Sequence, residues 1–202
     1  DFDQRILELK PEKDIYLDGL WQSEKYFIDV KDVIINDFKI APPTDEKNLL
    51  TADRIKSKKS VALHIRWFDQ GGDGSDADSN VRSNYYQLAV DKMEALLDEP
   101  QYFIFSDNPE RAKNSIVLPE GRYEFITHNT SDEAAIWDFW LMQQCDNFIV
   151  ANSTFSWWAA WLGEDSEEGS IVIFPRLPQE QKNQWAWDYE GQMPERWLPI
   201  QL

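Results

Sequence analysis

Short apolar runs alternate with amphipathic segments along residues 61–174. Each apolar run is four to six residues long, which is the length of a buried strand. Between the runs, apolar residues recur at spacings of three and four, the period of an α-helix. The pattern predicts strands at 61–66, 102–105, 123–126, 147–151 and 171–174, and helices at 83–97, from 107, at 130–144 and at 155–162.

The predicted elements follow the order β-α-β-α-β-α-β-α-β with short connections. This alternation is typical of parallel strands joined by crossover helices, so we expect an α/β fold with a doubly wound, Rossmann-like parallel sheet. Ligands of such sheets bind outside the carboxyl ends of the strands. Polar residues follow four of the predicted strands, namely Arg66, Ser106-Asp107, Thr127-His128-Asn129 and Asn152-Ser153-Thr154.

Residues 1–60 lack this alternation. A strand is predicted at 15–17 and a helix from Ser23 to Ile34, whereas residues 41–48 have the composition of a linker. The basic run at 56–60 is interpreted as a solvated turn. Sixty residues are few for a separate packed core. We therefore expect this segment to be the end of another domain or an appendage.

The composition is that of a folded and strongly acidic protein. The 202 residues carry 20 Lys and Arg against 37 Asp and Glu, a net charge of −17, and 42% are hydrophobic. Residues 61–202 hold 9 basic and 24 acidic side chains, so 9 − 24 = −15 of this charge falls there. An acidic surface argues against nonspecific binding to nucleic acid or anionic membrane. With one cysteine, Cys145, and no apolar run near the roughly 20 residues of a membrane span, neither a disulfide framework nor a transmembrane helix is predicted.

The strongest local feature is the segment Asn152–Ser156, which follows a predicted strand and opens a predicted helix. The first turn of a helix presents N–H groups without intrahelical acceptors and a partial positive charge, so it binds phosphate without a basic side chain. The alternative interpretation is ordinary N-capping by Ser153 or Thr154. Spacing alone does not decide between the two.

Two further polar residues end the first predicted strand. Arg66 is one of only nine basic residues after residue 60, and a guanidinium binds a diphosphate through paired hydrogen bonds. Its alternative role is a salt bridge to a nearby acid. His64 lies two residues earlier, on the same side of the strand. A single histidine there is either a hydrogen-bonded structural residue or a catalytic one.

The loop at 69–78 is rich in Asp and Gly, but its spacing does not fit an EF-hand. We interpret it as a solvated insertion and predict no metal site. The sequence has no dinucleotide-binding glycine fingerprint, no phosphate-binding loop and no nucleophile elbow. These absences argue against hydride transfer, kinase and hydrolase chemistry.

Six segments have distinctive sequences: Asp18–Phe27, His64–Arg66, Phe103–Asp107, Asp138–Met142, Asn152–Leu162 and Met193–Trp197. In this order they resemble the alpha-1,2-fucosyltransferases of glycosyltransferase family 11. The resemblance covers most of the chain, and the segment Asn152–Leu162 is its most specific part.

The resemblance implies a GT-B-type architecture and an inverting, metal-independent transfer of L-fucose from GDP-fucose to the 2-hydroxyl of a galactoside. The donor is a substrate, so no cofactor is expected. The family's His-x-Arg-Arg-Gly-Asp motif matches this sequence at His64, Arg66 and Asp69, which are the implied catalytic residues, with Asp69 as the base. Trp67 and Phe68 stand where the motif has its second Arg and its Gly.

The expected donor site combines the end of the first strand with the first turn of the last helix. Asp107 or His128 would contact the nucleoside or the sugar, and Trp21 and Gln22 would shape the acceptor side or simply pack against it. The expected donor-binding residues are Arg66, Ser106, Asp107, Asn152, Ser153, Thr154, Phe155 and Ser156.

On this basis, residues 1–60 would be the end of an acceptor-side domain with a linker, and residues 61–202 the nucleotide-sugar-binding domain. The family's Gly-rich N-terminal segment has no counterpart, so the chain resembles the later part of such a protein. Three alternatives stay open: a glycosyltransferase that uses another deoxysugar nucleotide, a noncatalytic sugar-binding module, and a truncated domain that binds nucleotide without turnover. The expected location is the bacterial cytoplasm, with a lumenal catalytic domain as the alternative.

Overall fold

The computed structural model describes residues 2–19, 21–68, 81, 83–164, 169–178, 187–188 and 191–202. These residues form an α/β fold around a six-stranded sheet in which every pair of neighbouring strands is parallel. The prediction of a doubly wound parallel sheet is confirmed. The strands are β1 (Ser60–Ile65), β2 (Gln101–Ser106), β3 (Tyr123–Phe125), β4 (Asn147–Ile149), β5 (Val172–Arg176) and β6 (Leu198–Gln201).

The strands lie in the order β3-β2-β1-β4-β5-β6. The chain first builds the sheet outward from β1 through β2 and β3, and then returns to the other side of β1 to place β4. Val61 of β1 is in register with Tyr102 of β2 on one side and with Asn147 of β4 on the other. Where the order reverses in this way, a crevice opens at the carboxyl ends of the two strands.

Helices cover both faces of the sheet. The side chains of β1 alternate between two hydrophobic cores: Val61 and Leu63 pack with the helix after β1, whereas Ala62 packs in the core that holds the last two helices. No helix in the described ranges is long and apolar enough to cross a membrane. The helices are α1 (Lys31–Asp37), α2 (Glu46–Lys56), α3 (Ser83–Leu96), α4 (Pro109–Lys113), α5 (Ala135–Met142) and α6 (Thr154–Gly163).

Helix α2 begins inside the segment whose composition indicated a linker. Asp45 caps it, accepting a hydrogen bond from the Asn48 backbone N–H at 2.9 Å. Thr51, Ala52 and Ile55 are buried, and the helix packs against α5. Because two of its four buried positions are the polar residues Asn48 and Thr51, the hydrophobic period of this helix is faint in the sequence.

Three other elements differ from the sequence predictions. Strand β6 was not predicted, because Pro199 interrupts its pattern; as the last strand in the order it lies at the edge of the sheet, where proline is tolerated. The helix predicted at 23–34 is broken into two 3₁₀ turns and α1, since Phe27 has a φ of −142°. Residues 15–17 form no strand, and Tyr16 is 89% exposed.

A half-buried carboxylate, Glu24, and a buried one, Glu164, join distant parts of the chain. We term their surroundings the arginine cluster, which comprises Glu24, Trp161, Glu164, Arg196 and Trp197. Arg196 donates to Glu24 at 2.8 Å and to Glu164 at 3.0 Å. The indole N–H groups of Trp161 and Trp197 donate to Glu24 and Glu164, each at 2.9 Å. The Glu164 side chain is only 2% exposed, and both of its oxygens are hydrogen-bonded. The cluster therefore fastens the N-terminal segment, α6 and the C-terminal segment together.

Replacing Arg196 with alanine is expected to lower the free energy of unfolding by about 3 kcal/mol, because it leaves the buried Glu164 carboxylate without its counter-charge. Urea unfolding monitored by tryptophan fluorescence measures this change. Arg5→Ala is the matched control, since the Arg5–Asp3 pair lies at the surface, with the Arg5 side chain 88% exposed. We expect no measurable change for Arg5→Ala. Equal losses in both variants would contradict the role of the cluster.

Candidate functional site

A cleft of about 700 Å³ lies at the carboxyl ends of β1 to β4. It is the crevice expected where the strand order reverses. Seven of the ten residues expected to be catalytic or donor-binding line it, namely His64, Arg66, Ser106, Asp107, Ser153, Thr154 and Phe155. Parallel pairing brings these residues together from segments up to 91 positions apart, since 155 − 64 = 91.

The first turn of α6 opens onto this cleft. The first backbone hydrogen bond of the helix runs from the Trp157 N–H to the Ser153 carbonyl, at 3.0 Å, so the N–H groups of residues 154–156 precede the intrahelical ladder. Ser153 holds the N-cap position but makes no side-chain capping bond, and the first turn has no acidic residue. This helix end is therefore available to an anion.

Asn152 and Ser156 belong to the support of this turn rather than to the cleft wall. Both are buried, with Asn152 6% and Ser156 0% exposed. The Ser156 hydroxyl lies 3.3 Å from the Ala151 carbonyl oxygen and 3.2 Å from that of Ser153. Its hydroxyl thus fixes the passage from β4 into α6, and only its backbone N–H remains a candidate donor.

Arg66 is held at the cleft by Asp107. Its Nη1 lies 2.5 Å from Asp107 Oδ2, while Asp107 Oδ1 accepts the backbone N–H of Trp67 at 3.1 Å. The Arg66 side chain remains 41% exposed. Asp107 thus positions the guanidinium at the cleft mouth, and the exposed part of Arg66 can contact an anionic ligand.

Trp67 belongs to a hydrophobic core and not to the cleft. It is 5% exposed and packs in the cluster formed by β1, β2 and α3. The Arg111 guanidinium carbon lies 3.8 Å from the centroid of its ring. Trp67, which stands at the second arginine of the His-x-Arg-Arg-Gly-Asp motif, is therefore a core side chain.

His64 is buried against Phe155, with ring centroids 5.5 Å apart. Burial, and then the charge of Arg66, lower the pKa of His64 to about 3. The ring is therefore neutral at physiological pH. Its buried Nδ1 has no hydrogen-bond partner among the described residues. His64 can offer a ligand a hydrogen bond but contributes no positive charge.

The structure adds Asp138 to the candidate site. This residue lies in the first turn of α5 and lines the cleft. Burial raises its pKa to about 6, although a 2.8 Å hydrogen bond from Asn129 Nδ2 acts in the opposite direction. The sequence held one signal for it, because Asp138 is the only charged residue in a helix of sequence Ala-Ile-Trp-Asp-Phe-Trp-Leu-Met.

Other expected site residues have different surroundings. His128 does not line the cleft; its Nε2 bonds with Asn48 Oδ1 at 2.9 Å, and burial lowers its pKa. Gln22 is buried, and Trp21 packs edge-on against Tyr26 at 5.3 Å. The proposed base Asp69 lies outside the described residues. Within the described ranges, no group of three His, Cys, Asp or Glu side chains is placed to hold a metal ion.

The fold and the cleft together define a class of protein. It is a doubly wound α/β protein whose reversal-point crevice combines an arginine with an open helix N-terminus. Both features are donors suited to a phosphate group.

Sequence comparison gives the family. The glycosyl transferase family 11 model matches residues 1–198, so the chain belongs to glycosyltransferase family 11. The resemblance stated from the motifs is confirmed. No solved structure gives a significant match.

Three curated relatives illustrate the range of similarity. An alpha-1,2-colitosyltransferase from Escherichia coli is 31% identical over 196 residues, which cover 91% of this chain and 61% of the relative. The O-antigen biosynthesis glycosyltransferase WbnK from Escherichia coli is 32% identical over 123 residues, 60% of this chain and 39% of the relative. The human galactoside alpha-(1,2)-fucosyltransferase 1 is 33% identical over 81 residues, 40% of this chain and 22% of the relative. The chain thus spans less than two thirds of the length of each relative.

Asp138→Asn is expected to stabilise the protein at pH 7 by roughly 1–3 kcal/mol, because a neutral amide avoids the cost of burying an ion. The native pKa of about 6 lies above the ordinary 3.8, so the native state binds this proton more tightly than the unfolded chain does. The cost is therefore absent below about pH 4, grows between pH 4 and 6, and is complete above that.

Urea unfolding of the wild-type protein and Asp138→Asn between pH 4 and 7 measures the difference. The gain in stability should appear only as the pH rises through this window. A variant that is no more stable than the wild type at pH 7 would contradict the assignment, as would a difference independent of pH.

Proposed function

We propose that the protein acts in the inverting transfer of L-fucose from GDP-fucose to the 2-hydroxyl of a galactoside. The observation that carries the proposal is the convergence of Arg66 and the open N-terminus of α6 on one cleft. These are the donors that a nucleoside diphosphate needs. Relatives named as alpha-1,2-fucosyltransferase and alpha-1,2-colitosyltransferase support the sugar class and the linkage.

The charge that must be stabilised develops on the leaving diphosphate. In a single displacement, the acceptor oxygen attacks the anomeric carbon, the bond from that carbon to the phosphate oxygen breaks, and the electron pair leaves with GDP. Preorganised donors aimed at the departing oxygen lower this barrier. In the proposal, Arg66 and the backbone N–H groups of residues 154–156 supply these donors, with the Ser153 and Thr154 hydroxyls beside them.

The acceptor hydroxyl must also lose its proton. We assign this step to Asp69, which follows Phe68, a residue of the cleft wall. A carboxylate within hydrogen-bond distance of the attacking hydroxyl is a suitable general base. His64 is neutral and would instead hold its ring against the diphosphate or the sugar.

We assign the nucleobase contact to Asp138. Guanine presents two adjacent donors, N1–H and the N2 amino group, on its Watson–Crick edge, and a carboxylate can accept both. Asp138 Oδ1 accepts one hydrogen bond from Asn129, and each carboxylate oxygen can accept two, so we assign the two guanine donors to Oδ2 and to the second lone pair of Oδ1. Ser106 and Asp107 line the same cleft, and we place the ribose beside them.

The proposal also assigns the two substrates to different segments of the chain. Every described residue that lines the cleft lies after residue 61, so residues 61–202 would hold the donor. Residues 1–60 would belong to the acceptor side. The acceptor itself would be a glycan that ends in a galactoside.

The name of one relative favours a second candidate for the sugar donor. The relative that covers 91% of this chain is named as a colitosyltransferase, and colitose is a deoxysugar closely related to fucose. GDP-colitose is therefore the alternative donor. Both proposals share a guanine nucleotide.

A thermal-shift panel of GDP, UDP, dTDP and GDP-fucose tests the nucleotide. A ligand that binds only the folded state raises the melting temperature by mass action. We expect GDP and GDP-fucose to raise it, and UDP and dTDP to leave it unchanged at the same concentration. A shift with UDP or dTDP alone would indicate another donor class, and no shift with any nucleotide would favour a noncatalytic module.

Arg66→Ala is expected to weaken GDP binding about 10- to 100-fold, because it removes a charge-assisted hydrogen bond to the diphosphate. Calorimetric titration measures the change in affinity. Arg122→Ala is the control, since Arg122 precedes β3 at the opposite end of the sheet and pairs with Glu94 at 2.6 Å. Unchanged GDP affinity in Arg66→Ala would exclude the assigned role.

A further inference from the structure

Helix α2 contributes a buried amide to a chain of hydrogen bonds that ends at the cleft. Asn48 is 1% exposed and lies on none of the loops that follow the strands. Its side-chain amide bonds with Asp45, His128 and Asn129. Asn129 in turn donates to Asp138. The chain therefore runs from the start of α2 to the residue to which we assign the nucleobase contact.

We propose that Asn48 is a positioning residue that orients Asn129 and thereby holds the Asp138 carboxylate as a hydrogen-bond acceptor for the nucleobase. This inference rests on the proposed function, because it requires a guanine nucleotide in the cleft. It goes beyond that function in assigning a role at the donor site to a residue from the segment before the sheet.

Asp45 sets which groups donate and which accept in this series of hydrogen bonds. An ionised carboxylate only accepts hydrogen bonds, so the Asn48 NH₂ group must face it, and Nδ2 lies 2.9 Å from Asp45 Oδ2. The hydrogen bonds from Asn48 lower the pKa of Asp45 and keep it ionised. The Asn48 amide therefore has one favourable orientation.

The orientation of the Asn48 amide in turn determines the orientation of the Asn129 amide. Asn48 Nδ2 donates to Asn129 Oδ1 at 3.0 Å, and Asn129 Nδ2 donates back to Asn48 Oδ1, also at 3.0 Å. The second hydrogen of Asn129 Nδ2 is then directed to Asp138 Oδ1, at 2.8 Å. Turning the Asn129 amide over would place its oxygen against the Asp138 carboxylate and lose both bonds to Asn48.

Two consequences follow for Asp138. The bond from Asn129 to Oδ1 restricts the rotation of the carboxylate, and Oδ2 and the second lone pair of Oδ1 then accept the two guanine donors. The Asn129 N–H also opposes the effect of burial on the Asp138 pKa, so the carboxylate remains ionised at neutral pH. An acceptor prepared in this way favours guanine over a base with fewer donors on the same edge.

The test is the affinity for GDP and IDP, measured by calorimetry at pH 7.5. Inosine lacks the N2 amino group, so we expect the wild type to bind GDP about tenfold more tightly than IDP. Asn48→Asp keeps the size of the side chain but removes both N–H donors and places a second carboxylate beside Asp45. We expect it to weaken GDP binding about tenfold and to bring the two affinities together.

Two further variants separate positioning from general damage. Asn114→Asp is the matched control, because in the part of the chain that the structure describes the Asn114 amide bonds with the Glu110 carbonyl of α4 and with no residue of the cleft. This variant should bind both nucleotides as the wild type does. In an Asp138→Asn background, Asn48→Asp should cause no further loss, since a residue that acts through Asp138 cannot act without it. Asn129→Ala is the substitute first variant if Asn48→Asp does not fold.

The outcomes are distinguishable. If the wild type binds no guanine nucleotide, the proposed function fails and the positioning role fails with it. If the wild type binds GDP and prefers it to IDP, two results overturn the positioning role alone. These are an unchanged preference in Asn48→Asp, and losses that add fully when Asn48→Asp and Asp138→Asn are combined.

Discussion

The placement of β1 between β2 and β4 is the constraint on which the site depends. β1 pairs with both neighbours in parallel register, so the chain must leave in one direction after β1 and come back to its other side before β4. The helices from these two excursions diverge over the carboxyl ends of the strands. Arg66 then lines the same cleft as the first turn of α6, although Arg66 and Thr154 are 88 positions apart (154 − 66 = 88).

An acidic protein can bind an anion only if the interaction is local. Residues 61–202 carry a net charge of −15, which repels a diphosphate at long range. In the proposed function, Arg66 and the first turn of α6 would act on the diphosphate over a few ångströms, where screening by salt and water is weakest. A single arginine can serve in this way because Asp107 holds Arg66 at the cleft mouth. Trp67 contributes packing in place of a second cation.

The buried carboxylate of Glu164 and the half-buried one of Asp138 differ in how their hydrogen-bonding capacity is satisfied. Glu164 in the arginine cluster bonds through both oxygens to Arg196 and Trp197, and this fully paired state is the form in which a buried charge is structural. Among the described residues, Asp138 has one hydrogen-bond donor, on one oxygen, and burial raises its pKa. An incompletely paired carboxylate at a cleft wall is the form expected of a functional group.

The sequence by itself determined most of the sheet and indicated the elements to which we assign phosphate binding. The alternation of apolar runs and helical periods predicted five of the six strands, and the position of Arg66 and Asn152–Ser156 after two of them was enough to predict a common site. The strands were predictable because hydrophobic periodicity is local, and several of the expected residues line one cleft because parallel topology places strand ends together. The motifs around Glu24, Trp161 and Arg196 were recognisable in the sequence, but not their convergence.

Only the tertiary structure decided which polar groups meet across the chain. Helix α2 and the amide pair of Asn48 and Asn129 have no periodic signal, because the buried face of that helix is partly polar. The environment of Asp138 depends on α5, on the loop after β3 and on α2 at once. Burial raises a carboxylate pKa only when several segments exclude water from it together. That exclusion is a property of packing, and no single stretch of the sequence contains it.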